Sequence, residues 1–461
     1  MLGTGRYTIG TAMLLLAFFL AVVPSEISAQ NSGGEACITC HRTISPGIVG
    51  QWEKSKHSTA GVTCIDCHQA GKDDVDGFLH NGERIAIIVS PKDCAQCHEK
   101  EFSEQKGSHH AKAAQILGSL DNLLGEVVGG EPAVAVGCRQ CHGSVVKVDA
   151  NGRPTPDTWP NTGMGRINPD GSWGSCSACH ARHEFSVKQA RQPEACGKCH
   201  LGPDHPQIEV WNESKHGVLY HANREELNLD AKPWRAGKEY FTGPTCASCH
   251  MSGAGKEGVT HDVGERISWT LRPPISVKLN MVIYEDDSKE DILGDAPLLP
   301  QAGEIHSFSE GEKRKVKQTL TWQERRQKMQ NVCTQCHEKT FVLYNDKFAR
   351  PGRAIIDELK AAGKITPPDF DDPIEWTWYE IWHHEGRRAR HGASQGPDYT
   401  WWHGLYEVGK HFYTKFIPEL KEVAGEEMAK KLMDKYLYEI PGHQWHRDGM
   451  GKEALDKIKK F

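Results

Sequence analysis

The sequence contains no cysteine outside one repeated motif, although it has 16 cysteines in 461 residues. All of them occur in eight copies of the pattern Cys-x-x-Cys-His. A disulfide framework requires neither this spacing nor a histidine after each pair of cysteines. Zinc knuckles would use four thiolates per ion and would leave the eight trailing histidines unexplained. The lack of a spare cysteine therefore argues against both explanations.

The Cys-x-x-Cys-His motif is the attachment signature of a c-type haem, in which two thioethers hold the vinyl groups and the histidine ligates the iron. The sequence therefore predicts eight covalently bound haem c groups. The predicted attachment residues are Cys37, Cys40, Cys64, Cys67, Cys94, Cys97, Cys138, Cys141, Cys176, Cys179, Cys196, Cys199, Cys246, Cys249, Cys333 and Cys336. The predicted proximal iron ligands are His41, His68, His98, His142, His180, His200, His250 and His337.

The sequence also lacks an excess of positive charge and, after its first 30 residues, any apolar run of membrane-spanning length. The formal net charge is −6, and haem propionates would make the surface more acidic, which argues against nucleic acid as a partner. Residues 1–29 predict a secretory signal: Arg6 precedes an apolar run, and Ala29 ends a small-residue cleavage pattern. The alternative is an uncleaved membrane anchor, for which the run is short. We expect export to the periplasm or an equivalent extracytoplasmic compartment, with no transmembrane segment in the mature chain.

Mean hydropathy is low, at −0.58, so side chains alone would form a thin core. Haems would supply much of the apolar interior. We therefore predict a mainly α multihaem cytochrome c fold with little sheet, in which residues 30–337 form short helices and loops wrapped on haems. A helix is predicted over 322–332, before the eighth motif. Residues 338–461 are aromatic and then helical over 417–440, and could be a packing cover or an oligomer interface.

Histidines outside the motifs could be the second, distal iron ligands. Of 25 histidines, 17 remain after the eight in the motifs. Seven bis-His haems would leave one iron open for substrate, whereas eight would make a pure electron conduit, and the count allows both. His57 and His216 occupy equivalent positions of a weak repeat, WEKSKH at 52–57 and WNESKH at 211–216. The predicted distal candidates are His57, His109, His183, His216, His261, His384 and His391.

Four segments resemble the octahaem hydroxylamine oxidoreductase family: CGKCHLGPDHPQ at 196–207, NESKHG at 212–217, HHEGRRARHGA at 383–393 and GPDYTWWHG at 396–404. The resemblance implies that the fourth haem, held by Cys138, Cys141 and His142, is catalytic and has histidine on one face only. It also implies an Asp–His pair on the open face. Asp204–His205 matches this pair best, and the reversed pair His261–Asp262 is the runner-up. A surface turn, or His205 as a distal ligand, is the alternative.

In oxidative members of that family, a tyrosine of a neighbouring subunit in a trimer is covalently bonded to the catalytic porphyrin. Tyr399 best matches its position; Tyr436 and Tyr438 are alternatives, and Tyr399 could instead be a packing residue beside Trp401 and Trp402. The resemblance implies a homotrimer, or a larger complex, that passes electrons to a small cytochrome c.

The implied reaction is the oxidation of hydroxylamine to nitric oxide or nitrite, with His205 accepting a proton and Asp204 orienting it. Members without the cross-link would instead reduce nitrite. The alternatives are a nitrite reductase of the same fold, a hydrazine dehydrogenase and a non-catalytic electron conduit. The small substrate would accordingly be hydroxylamine, nitrite, nitric oxide or hydrazine.

Overall fold

The structure is a computed structural model of the chain. It describes residues 34–116, 127, 129–202, 206–267, 269–270, 277–293, 299–307, 311–337, 348–366, 370–395, 398–440 and 442–451. The predicted secretory signal at 1–29 lies outside the described residues. No described helix is both long enough and apolar enough to cross a membrane.

Residues 34–250, which hold the first seven motifs, form short helices joined by turns. Hydrogen-bonded caps begin several motif helices: Thr63 and Thr245 form capping boxes before the second and seventh motifs, and Ser90 forms one before the third. The α-helices are Gly34–Ile44, Pro46–Glu53, Lys56–Thr59, Cys64–His68, Pro91–Ala95, Glu99–Lys106, Ala113–Ile116, Gly130–Ala133, Arg139–His142, Val187–Ala190, Pro193–Gly197, Gln207–Glu213, Lys215–Ala222 and Cys246–His250. A π-helix covers Val134–Cys138, and 3₁₀ turns cover Cys176–Ala178 and Arg224–Leu227.

The strands form two small pairs and one larger sheet. Strands β1 (Phe78–His80) and β2 (Glu83–Ile85) make an antiparallel hairpin, and β3 (Arg235–Ala236) pairs in parallel with β4 (Gly253–Ala254). The larger sheet is antiparallel and has the order β5-β6-β9-β8, with β7 also paired to β6. Its strands are β5 (Trp269–Thr270), β6 (Val277–Tyr284), β7 (Lys289–Leu293), β8 (Ile305–Ser307) and β9 (Lys313–Leu320).

This larger sheet lies between the seventh and eighth motifs, in a stretch of the sequence that carries no motif. Val282 and Tyr284 of β6 pack with Val316 of β9 as a small buried cluster. The prediction of a mainly α fold with little sheet is confirmed, but the sequence did not indicate where the sheet would be.

The last third of the chain is helical. The helix Trp322–Cys333 confirms the one predicted over 322–332. The single helix predicted over 417–440 is wrong in one respect, because it is divided at Gly425, where φ is +80°. The remaining helices are Ala349–Ala361, Pro373–Tyr379, Gly386–Gln395, Asp398–His411, Ile417–Ala424, Glu426–Tyr436 and Gln444–Asp448, with π-helical segments at Glu380–Glu385 and Phe412–Phe416.

Apolar side chains fill the two parts of the chain differently. The largest buried cluster lies wholly within 348–438 and includes Leu359, Phe412 and Leu420. Among the described residues that carry the first seven motifs, the buried cluster centred on Trp211 and Tyr220 is much smaller. A region that buries so few apolar side chains against one another is what we expect of a polypeptide that packs around haems.

Candidate haem centres

Five motif histidines each face a histidine from elsewhere in the chain. Two metal–nitrogen bonds of about 2 Å, plus about 1 Å from each nitrogen to its ring centre, would place the rings of a bis-His centre roughly 6 Å apart. The five pairs have ring-centre distances of 5.9–6.4 Å. They are His41–His80, His68–His183, His98–His57, His200–His110 and His337–His216.

Two motif histidines are oriented by backbone carbonyls. Nδ1 of His68 lies 2.8 Å from the carbonyl oxygen of Ala86, and Nδ1 of His142 lies 3.1 Å from that of Ala113. If Nδ1 carries the proton, it donates to the carbonyl and Nε2 is left as the metal-binding nitrogen. The Nε2 atoms of these histidines are therefore suited to bind haem iron.

Burial keeps several of these rings in the neutral form that metals bind. Burial, followed by the charge of His200, lowers the pKa of His110 to about 3. Burial, followed by the charge of His261, lowers the pKa of His180 to about 4, and burial with His200 lowers the pKa of His250 to about 4. At neutral pH these imidazoles present a lone pair rather than a second proton.

The predicted distal candidates fall into three groups. His57, His183 and His216 each lie opposite a motif histidine. His261 is an electrostatic neighbour of His180. His384 lies in the π-helical segment Glu380–Glu385 and its ring contacts that of Tyr379, and His391 lies on the helix Gly386–Gln395.

His109, another candidate, forms an ion pair with Asp291 instead. The adjacent His110 is the one that faces His200. The sequence analysis therefore missed His110, and it also missed His80. Neither stands in a distinctive local sequence, so only the folded chain reveals its partner.

The weak repeat around His57 and His216 also repeats in three dimensions. Ser55 and Ser214 each cap a short helix whose second residue is the histidine. Nε1 of Trp52 donates to the carbonyl of Val62, and Nε1 of Trp211 donates to that of Pro244. Each of these carbonyls directly precedes the threonine that caps a motif helix. The repeat is thus a unit that joins a histidine to a neighbouring motif.

The cysteines show which motifs are neighbours. Electrostatic interactions between their thiols link the motifs in the order 1-2-3-5-6-7-8, and the fourth motif is linked to the sixth through Cys141 and Cys199. Burial, followed by the Cys141 sulfur, raises the pKa of Cys199 to about 12. The other interacting pairs are Cys37–Cys64, Cys67–Cys94, Cys94–Cys176, Cys179–Cys196, Cys196–Cys246 and Cys249–Cys333. The sixth motif is therefore the branch point.

The residues expected at the catalytic haem are only partly described. Asp204 and His205 lie outside the described residues. Asp262, of the runner-up pair, is buried and binds Lys289 at 2.7 Å, while Nδ1 of His261 lies 3.6 Å from Glu104. His142 makes no ring contact with another histidine among the residues that the structure describes.

The candidate tyrosines differ in exposure. Tyr399, on the helix Asp398–His411, is 67% exposed, and its ring centre lies 6.4 Å from that of Trp402 and 5.3 Å from that of His403. Tyr438 is buried, with its hydroxyl 2.8 Å from Nδ1 of His446, and the Tyr436 hydroxyl donates to Glu358. Tyr399 is therefore the candidate whose ring can meet another molecule.

The motif cysteines, the paired histidines and the short-helix fold define a multihaem c-type cytochrome. Residues 163–292 match the family model described as a multi-haem cytochrome with seven CxxCH motifs, and residues 88–201 match the model for cytochrome c3. A solved structure titled a hypothetical multiheme protein has a TM-score of 0.63 and 24% identity, over 85% of this chain and 96% of that one.

Two further relatives come from Kuenenia stuttgartiensis. A probable nitrite reductase–hydroxylamine oxidoreductase fusion protein is 27% identical over 380 residues, which are 74% of this chain and 39% of that protein. The chain thus spans about two fifths of that relative. The reducing hydroxylamine oxidoreductase-like protein complex has a TM-score of 0.54 and 19% identity, over 87% of this chain and 85% of that one. The chain is therefore a multihaem c-type cytochrome that is similar to hydroxylamine oxidoreductase-like proteins.

Proposed function

We propose that the chain is an octahaem oxidoreductase that oxidises hydroxylamine to nitric oxide or nitrite at the fourth motif. The observation that carries this proposal is the hydrogen bond between the Cys141 and Cys199 thiols, which puts the fourth motif beside the sixth. A π-helix, Val134–Cys138, leads directly into it, and such segments are frequent at functional sites. The similarity to the fusion protein supports a nitrogen compound as the substrate.

A haem bound at Cys138 and Cys141 would supply an iron that binds the substrate nitrogen and accepts its electrons. His142 would hold this iron from one face, with its ring oriented by the Ala113 carbonyl. From the family resemblance, His205 would accept the protons that leave the substrate, and Asp204 would orient His205. The other seven haems would carry the electrons away through the sixth motif.

The spin states of the haems in the holoprotein test this function. A five-coordinate or water-bound ferric haem gives a high-spin EPR signal, whereas bis-His haems are low-spin. We expect one high-spin and seven low-spin haems, and the high-spin signal should change when hydroxylamine is added. Eight low-spin haems would contradict an open iron and favour the electron conduit.

Nitrite reduction is the second candidate function. Its support comes from two relatives, a reducing hydroxylamine oxidoreductase-like complex and a probable nitrite reductase–hydroxylamine oxidoreductase fusion protein. The direction would depend on Tyr399, because a cross-linked porphyrin would disfavour reduction of a bound nitrogen oxide.

The exposure of Tyr399 supports its proposed role as a bridge between subunits. Trp402 and Tyr406 follow on the same face of the helix, are also exposed, and stack at 5.5 Å. A contiguous exposed aromatic face of this kind is typical of an interface. We propose a homotrimer in which Tyr399 reaches the fourth haem of a neighbouring subunit.

The mass of the denatured holoprotein tests this bridge. Cross-linked subunits should remain a trimer in denaturant, and Tyr399→Phe should release monomers that keep all eight haems. Tyr406→Phe, on the same face, should leave the covalent trimer intact and serves as the control. A wild-type protein that gives only monomers would contradict the cross-link and support the reductive direction.

We further propose that the protein is exported from the cytoplasm and that it passes electrons to a small cytochrome c. The c-type haems support an extracytoplasmic location, because such cytochromes are usually found there. Detection of the holoprotein in the periplasmic fraction tests the location.

A further inference from the structure

Three arginines are the largest fully buried side chains in the described part of the chain: Arg166, Arg266 and Arg325. A buried guanidinium stays charged and normally has an anionic partner. Arg325 has one, since its Nη1 lies 3.1 Å from Asp291. Arg166 and Arg266 have no carboxylate within ion-pair distance among the described residues, and Arg266 is the one whose guanidinium binds the backbone of an attachment cysteine.

The guanidinium of Arg266 is held by backbone carbonyls of the seventh motif and the loop that follows it. Nη1 donates to the carbonyl of Cys249 at 2.8 Å, and Nη2 donates to those of Ser252 at 2.9 Å and Gly258 at 2.7 Å. Arg266 is 1% exposed. Because Cys249 is itself an attachment residue, this fixed charge lies directly against the seventh haem motif.

Glu265 and Glu257 interact electrostatically with Arg266, and both also have other partners. Glu265 binds Lys328 at 2.5 Å, and Glu257 accepts a hydrogen bond from Asn331. These carboxylates offset the positive charge of Arg266 in part, but neither forms an ion pair with its guanidinium.

We propose that Arg266 is a positioning and redox-tuning residue whose positive charge raises the reduction potential of the haem at the seventh motif. Ferric haem gains one electron on reduction and loses one positive charge, with no bond made or broken. A nearby fixed cation repels the ferric form more than the ferrous form. The electron comes from the neighbouring haem of the sixth motif.

This tuning would direct electrons at the branch point. The sixth motif interacts electrostatically with both the fifth and the seventh, through Cys179–Cys196 and Cys196–Cys246. A raised potential at the seventh haem favours electrons on the arm that leads to the eighth motif. The inference requires only haem at the seventh motif and is independent of the substrate.

Redox titration of the holoprotein, followed by visible and EPR spectra, tests the proposal. Arg266→Gln should lower the ferrous-to-ferric ratio of one low-spin haem about tenfold at fixed potential, equivalent to about 59 mV for one electron. Arg266→Lys keeps the charge and should keep the wild-type potential. Unchanged potentials in Arg266→Gln, or an equal shift in Arg266→Lys, would overturn the proposal; the latter result would indicate a structural role.

A second pair of variants applies if Arg266→Gln does not incorporate eight haems. Gly258 has open space at its Cβ position and no left-handed φ, so it accepts a side chain. Gly258→Asp should lower the same potential by partly neutralising Arg266, whereas Gly258→Asn should not. Equal potentials in the two variants would overturn the proposal.

Discussion

Two adjacent histidines, His109 and His110, differ in what they face. His110 lies 6.1 Å, ring to ring, from the motif residue His200, whereas His109 is paired with Asp291 and its side chain is 56% exposed. His110→Ala should therefore convert one low-spin haem to high-spin, because it removes a sixth ligand. EPR of the ferric holoprotein measures the change.

His109→Ala is the matched control for this substitution. It removes an imidazole one residue away and should leave the number of low-spin haems unchanged. Because His109 stabilises the largely buried Asp291 carboxylate, the fold should lose some stability, but no haem should change its spin state. A second high-spin haem in His109→Ala but not in His110→Ala would show that the ligand assignment is reversed.

Asp291 joins the sheet to the helix before the eighth motif through Arg325. Asp291→Asn should destabilise the protein by about 3–5 kcal/mol at neutral pH, because it leaves Arg325 buried without its counter-charge. Asp287→Asn, which removes the exposed partner of Lys317, should cost about 1 kcal/mol or less. Denaturant unfolding of the holoprotein measures both.

The effect of Asp291→Asn should depend on pH. Burial acts to raise the pKa of Asp291, but His109 and Arg325 outweigh it, so the pKa is lowered overall. A carboxylate with a lowered pKa stabilises the fold above its unfolded value of about 3.9, and loses this contribution as the pH falls through the folded pKa. The difference in the free energy of unfolding between wild type and Asp291→Asn should become smaller below about pH 4. A difference that does not change with pH would contradict the ion-pair explanation.

At the residue scale, the sequence predicted what depends on local chemistry. The attachment cysteines and their histidines must be neighbours in sequence, and the repeated WxxSKH segments indicated His57 and His216. His80 could not be found in this way, because it faces His41 only after the β1–β2 hairpin has folded. The choice between His109 and His110 likewise depends on a distant motif.

Gly425 ends one helix and begins the next. Its φ of +80° and ψ of 154° fall in a region that essentially only glycine occupies. Gly425→Ala should therefore cost about 1–3 kcal/mol, although open space surrounds its Cβ position. Gly50→Ala, within the helix Pro46–Glu53 and also in open space, should be neutral or stabilising.

Thermal unfolding of the two holoprotein variants provides the comparison. Equal melting temperatures would contradict the conformational explanation for Gly425. The apolar spacing over 417–440 continues through this position, so periodicity alone predicted one helix. The sequence analysis also did not predict strands β6 and β9. They are about 30 residues apart in the sequence and pair only in the folded chain.

At the scale of the whole molecule, the motif contacts form a branched network rather than a simple line. Chain order would place the fourth motif between the third and the fifth. The structure instead joins the third to the fifth through Cys94 and Cys176, and attaches the fourth to the sixth. An electron that leaves the haem of the fourth motif would therefore pass first to the haem of the sixth motif, and from there to that of the fifth or the seventh.

This topology predicts unequal effects from losing single haems. Replacing Cys196 and Cys199 with serine removes the haem at the branch point, whereas replacing Cys333 and Cys336 removes the one at the end of the series. Hydroxylamine is mixed with the oxidised protein under anaerobic conditions. In the variant that lacks the eighth haem, electrons should still reach the remaining haems through the sixth motif. In the variant that lacks the sixth haem, reduction of the remaining haems should be far slower, because the rate of electron tunnelling falls steeply with distance. Stopped-flow spectra of variants with seven haems by intact mass measure this difference, and equal rates would show that the fourth motif has another exit.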